Sequence, residues 1–125
     1  MKATTLLDGI DVNVIKTEMM IDRPVIEDGT YIFCKNMRTL KDGTQILECL
    51  WDDFETEVSF YEFDVYMDDA QTRSAEDIIR YLISIGFYLE DIETEISGFK
   101  TLWKYSGFKR HDDMIRVTYY DKDTL

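Results

Sequence analysis

A single amphipathic helix signal stands in a chain otherwise made of short strand-like runs, and that order decides the fold class. Ser74-Ala75-Glu76-Asp77 resembles a capping-box start, with two acids in the first turn where the helix dipole favours them. Ile78, Leu82 and Ile85 follow as one stripe, widened by Ile79 and Ile83, and Gly86 stands where a C-terminal glycine cap belongs. The spacing predicts one main helix over residues 74–85. Its stripe must be buried, each side chain contributing roughly 1.5–3 kcal/mol when fully covered, and the flanking sequence offers only strands to cover it.

Three Asp-Gly dipeptides, at Asp8-Gly9, Asp28-Gly29 and Asp42-Gly43, mark turns, because both residues tolerate positive φ. A strand-like run follows each. Residues 10–14 alternate, with Ile10, Val12 and Val14 on one face. Residues 30–37 and 44–51 flank Lys41-Asp42-Gly43 as the clearest hairpin in the chain. Leu47, Cys49 and Trp51 share one face of its second arm. The longest run, 56–67, is rich in Val, Phe and Tyr. Its apolar alternation passes from even to odd positions at Tyr61-Glu62, as a bulge would produce. In that register Glu57, Glu62 and Asp64 point away from the core.

Residues 87–96 fit both helical and strand spacing, and the strand is preferred because Gly86 has just ended a helix. Ser-Gly-Phe-Lys occurs twice, at 97–100 and 106–109; each Ser-Gly reads as a turn, which brackets a short strand over 99–105. A last strand, 114–120, turns Ile115, Val117 and Tyr119 inward. Strands, one helix, then strands indicate an α+β fold. The expected architecture is one domain over residues 1–125, a curved antiparallel sheet of five to six strands with the helix packed on one face.

The chain is 45% hydrophobic, enough to bury a core and too much for a disordered acidic tail. No apolar run is long enough to span a bilayer. The residues from Met1 to Asp8 are too weakly apolar for a secretory signal, so a cytoplasmic protein is expected. Cys34 and Cys49 read as reduced thiols buried like small hydrophobes, although neighbouring strands would allow a disulfide in the right register.

Catalytic chemistry finds little support. His111, the only histidine, lies in Arg110-His111-Asp112-Asp113 between two predicted strands, where a solvated turn is expected. There is no G-x-G-x-x-G, P-loop, G-x-S-x-G or EF-hand spacing. Carboxylate pairs are too plentiful for any one pair to indicate a glycosidase or a Mg²⁺ enzyme. No catalytic residue, metal ligand set or cofactor is expected.

Charge distribution is the one feature that speaks of a partner. Residues 1–41 are neutral, residues 42–95 carry a net −14, and residues 96–125 a net +2, which gives −12 overall. No Lys or Arg lies between Lys41 and Arg73. A charge of −12 keeps any small protein soluble, but a uniform solubilising charge has no reason to spare the first 41 residues. Acids at alternate strand positions rise about 6.6–6.8 Å apart on one face and can copy a row of phosphates. The expected partner-binding surface is Asp52, Asp53, Phe54, Glu55, Glu57, Tyr61, Glu62, Asp64, Tyr66, Asp68 and Asp69, extended by Glu90, Asp91, Glu93 and Glu95.

The expected function is therefore a small acidic, non-enzymatic inhibitor, a nucleic-acid mimic of the phage anti-defence kind such as anti-CRISPR or anti-restriction proteins. Its partner would be a basic protein, a nuclease or other nucleic-acid-binding protein, with no direct nucleic acid and no membrane. One alternative is an immunity or antitoxin protein capping a basic toxin. Others are a small structural or assembly protein, or a nucleic-acid binder acting through the basic-aromatic segment 99–110.

Overall fold

The computed structural model describes residues 2–3, 13–96 and 98–121. The Asp8-Gly9 turn and residues 10–12 of the first expected strand lie outside them, as does Ser97. Among the described residues nine strands form one curved sheet: β1 (Lys2–Ala3), β2 (Val14–Met19), β3 (Val25–Glu27), β4 (Thr30–Leu40), β5 (Gln45–Asp53), β6 (Ser59–Tyr66), β7 (Ile92–Ile96), β8 (Phe99–Arg110) and β9 (Met114–Asp121). The α+β class and the curled sheet are as expected, and the strand count exceeds the expected five or six. The sheet order is β1-β7-β8-β9-β6-β5-β4-β2, with β3 also on β4; β1 runs parallel to β7 and every other pair is antiparallel. The surplus includes β1 and β3, of two and three residues, too short for alternation to reveal, and β2, which shares only Val14 with the expected strand over residues 10–14.

The helix α1 spans Ala75–Ser84, and Ser74 is its N-cap, its hydroxyl accepting from the Asp77 amide at 3.1 Å. The chain leaves it at Ile85, followed by Gly86 at φ 106°, a conformation that glycine adopts without a Cβ penalty. Ile78 and Leu82 are fully buried on the sheet. They meet Leu40, Ile46, Phe63, Val65, Ile115 and Val117, which pairing in register sets on one face. Phe63 lies edge-on to Phe87 and Tyr119, locking the segment after the helix onto the same core.

The hairpin around Asp42-Gly43 forms as the sequence indicates. Gly43 has φ 92°, the Thr44 amide donates to Asp42 Oδ1 at 3.0 Å, and the Leu40 amide donates to the Thr44 carbonyl at 2.8 Å. β9 also turns Ile115, Val117 and Tyr119 inward.

Three expectations need correction, and a fourth, that both cysteines are reduced thiols, holds. The expected bulge at Tyr61-Glu62 is absent, since β6 pairs with β5 and with β9 in unbroken register there. The even-to-odd shift arises earlier, because Val58 precedes β6 in a turn over residues 53–58 in which Glu57 has φ 57°. Tyr61 is therefore a core residue, stacked on Phe63 and edge-on to Trp103. Ser106-Gly107 does not end a strand either. It is a bulge inside the twelve-residue β8, between the pairs Tyr105↔Tyr119 and Phe108↔Val117, with Gly107 at φ 92°. Residues 87–91 do not join β7, which starts at Ile92. Finally, Lys35↔Cys49 and Cys34↔Leu50 are the register partners, so the two cysteines occupy opposite faces of the sheet and are free thiols. Burial pushes the Cys49 thiol up to about 11 and raises that of Cys34 as well.

Candidate functional site

Antiparallel pairing collects the turns at two ends of the sheet. One end holds Asp28-Gly29, between β3 and β4, and the 53–58 turn between β5 and β6. Both Asp28 and Gly29 have positive φ, 47° and 75°, which makes a two-residue turn whose twist suits a hairpin. The two turns touch, the Phe54 amide donating to the Gly29 carbonyl at 3.4 Å. Six carboxylates gather there: Glu27, Asp28, Asp52, Asp53, Glu55 and Glu57.

They do two kinds of work. Asp53 Oδ1 accepts the Glu55 amide at 2.8 Å, and Asp52 accepts the Ser59 hydroxyl, so these two hold the turn in shape. Glu27, Asp28, Glu55 and Glu57 are exposed, and the Phe54 ring stands beside them, 51% exposed. Residues 27–30 and 52–59 include no Lys or Arg. Glu27 and Asp28 were missed in the sequence because they belong to its neutral third. The signal that finds them is the Asp-Gly turn itself, which folds β3 back so that Thr30 pairs with both Glu27 and Asp53.

In the middle of β6 the acids are occupied. Glu62 and Asp64 lie on the sheet face opposite the core, as their spacing indicates, and the Arg116 guanidinium of β9 reaches both. It makes 2.8 Å and 3.2 Å hydrogen bonds to the two oxygens of Asp64 and stands 3.6 Å from Glu62. Burial raises the Glu62 carboxyl against the opposing pull of Arg116, while the hydrogen bond that Arg116 donates to Asp64 raises Arg116 itself. Tyr61 is buried in the core and offers nothing to a partner; Tyr66 is half-buried.

Asp68 and Asp69 are exposed at the opposite end of β6, roughly 25 Å from the 53–58 turn at strand rise. There they sit among cations and amides: Arg73 donates to the Asp68 carbonyl at 3.2 Å, and Gln71 joins Asp112 at 2.6 Å and Arg110 through its carbonyl. An open hollow of about 360 Å³ at this end is lined by Asp42, Thr44, Tyr66, Asp68, Arg73 and Tyr81. Asp52 to Asp69 is thus two acidic ends joined by a neutralised middle. Glu90 and Asp91 are exposed, but the Asp91 carboxylate accepts the Tyr105 amide at 2.9 Å. Glu93 and Glu95 lie on β7, separated from β6 by β8 and β9, and Glu95 faces Lys100 across the ladder.

On β8, Lys100 is exposed and Phe99 is 79% exposed, whereas Trp103 is buried, its indole N–H donating to Thr94 Oγ1 at 3.1 Å. Lys104 stands beside Tyr120, and Lys109 beside Arg116. His111 is an exposed turn residue between β8 and β9. Among the described residues, no group of three His, Cys, Asp or Glu side chains could hold a metal ion, and no helix is long and apolar enough to cross a membrane. No family model, curated protein or solved structure matches the chain.

Proposed function

We propose that the protein is a non-enzymatic binding protein that inhibits a basic, nucleic-acid-handling partner, and that it does so with the acidic turns at one end of its sheet. The observation that carries this reading is the contact of two turns, Phe54 amide to Gly29 carbonyl, which brings one exposed aromatic residue together with four exposed carboxylates, Glu27, Asp28, Glu55 and Glu57. Carboxylates grouped this way attract a cationic groove over several ångströms and speed encounter. The exposed ring supplies the apolar contact that charge alone lacks. The cluster is compact, so it covers a basic pocket rather than imitating a long phosphate row. The partner is a nuclease or a related enzyme whose active groove is lined with Lys and Arg, and the role is anti-defence in type.

The test has two stages. The partner is captured with the tagged protein from its native host and identified by mass spectrometry. Its affinity for the wild type is then compared with that for a Glu27→Lys, Glu55→Lys, Glu57→Lys variant across a salt series. All three side chains are exposed, so the fold should hold. The reading expects binding to weaken by about a hundredfold or more in the variant and to fall with salt in the wild type. Equal binding by both proteins at every salt concentration overturns it.

A further inference from the structure

We propose that β2 is a self-association edge, pairing antiparallel with β2 of a second copy about a two-fold axis at Thr17. The inference is independent of the acidic turns and uses the neutral third of the chain.

Among the described residues β2 has one partner strand, β4, and it ends the sheet order. Its backbone direction is fixed by two bonds, Met20 amide to Lys35 carbonyl and Lys41 amide to Asn13 carbonyl, each at 2.8 Å. With Met19 opposite Asn36, Glu18 opposite Met37 and Thr17 opposite Arg38, alternation leaves the N–H and C=O of Thr17 and Met19 pointing away from β4. A two-fold axis at Thr17 therefore lets both copies of Thr17 exchange backbone hydrogen bonds.

The side chains suit that axis. It places Lys16 opposite Glu18 of the second copy, and Glu18 opposite Lys16 of the second copy. Lys16 and Glu18 already approach each other at 3.3 Å within one chain, so association joins two such pairs into a four-charge cluster on one face of the continued sheet. Met19, 71% exposed, adds apolar surface beside the same axis, while Ile15, 68% exposed, is the residue that a bulge inserts between Val14 and Lys16. Cross-strand opposite charges and apolar pairs are the contacts that stabilise antiparallel ladders. The surrounding charge is balanced too, since Asp22 and Arg23 follow in the loop and residues 1–41 sum to zero. Elsewhere the net charge of −12 opposes contact between copies. Edges kept from pairing carry unpaired charge, short strands or bulges; β2 has a bulge between Val14 and Lys16, but beyond it Lys16–Met19 runs in regular register with an exposed apolar side chain and a charge pattern that complements itself.

Sedimentation of the full chain over a concentration series tests it, with circular dichroism and thermal melting as a check of the fold. The wild type is expected to reach twice its 14.8 kDa mass. Lys16→Glu and Glu18→Lys, taken singly, put like charges opposite each other at both ends of the axis and should weaken the dimer by about tenfold or more. The double variant Lys16→Glu, Glu18→Lys restores both pairs and should restore the dimer. Thr17→Pro removes an N–H that points away from β4 and should abolish it. Should Thr17→Pro fail to fold, the loss and recovery across the charge variants decides alone. A wild type that stays monomeric throughout, assembly beyond the dimer, or a dimer indifferent to the charge variants would each overturn the proposal.

Discussion

The strands beneath the helix and the strands at the β2 end draw on the same residue types and bury them differently. Phe63, Val65, Ile115 and Val117 are fully inaccessible, whereas Ile15, Met19 and Ile26 lie largely open, Ile26 at 65%. The difference lies in what each region faces. β6 has β5 and β9 on either side and α1 above it, so each inward side chain is enclosed. β3 and β2 meet only β4 within the described sheet. Sheet pairing satisfies backbone groups without covering side chains; cover comes from a second layer, and α1 covers only part of the sheet. The helix-covered region therefore holds the fold together, and the outlying strands keep apolar side chains open to solvent.

The largest effect is expected beneath the helix. Phe63→Ala removes a ring packed against Tyr61, Phe87 and Tyr119 and should cost about 3–5 kcal/mol in chemical denaturation; a loss below 1 kcal/mol would break the assignment of the core. Next comes a pH effect at the edge of that region. The folded state raises the Glu62 carboxyl above its ordinary 4.5, so the folded protein holds this proton more tightly than the unfolded chain. Its contribution is present in full below the ordinary value and is lost as pH rises through the folded value. Glu62→Gln should flatten this part of the profile, gaining on the wild type as pH climbs past 4.5, read from denaturation midpoints at constant ionic strength. The smallest effect belongs to the outlying strands: Ile26→Thr should change monomer stability by less than about 0.5 kcal/mol, and a core-sized loss there would erase the contrast between the two regions.

What the sequence made legible follows the same division. The helix, the Asp42-Gly43 hairpin and β9 announce themselves because each pairs a strong local signal with one buried face. β8 was cut short because Ser106-Gly107 has the composition of a turn; only the presence of β9 alongside turns that dipeptide into a bulge. Tyr61 was set outward because Val58 was counted into the strand, when the positive φ of Glu57 ends a turn there. For the candidate site, the acids at 52–57 were legible from charge. Their junction with Glu27 and Asp28 was not, since it depends on which strands lie side by side. Neither was the neutralisation of Glu62 and Asp64, whose shared counter-ion, Arg116, comes 52 residues after Asp64 in the chain.

That last separation has a consequence during synthesis. β6 lies in the interior of the finished sheet, yet β7, β8 and β9 all follow it in the chain. While the nascent protein leaves the ribosome, β6 is a provisional border, paired with β5 and still without β9. Glu62 and Asp64 stand on that border as bare negative charges until Arg116 arrives, and charge on a strand edge discourages pairing with a neighbouring chain. Arg116 is thus the last member of that ion pair to be made.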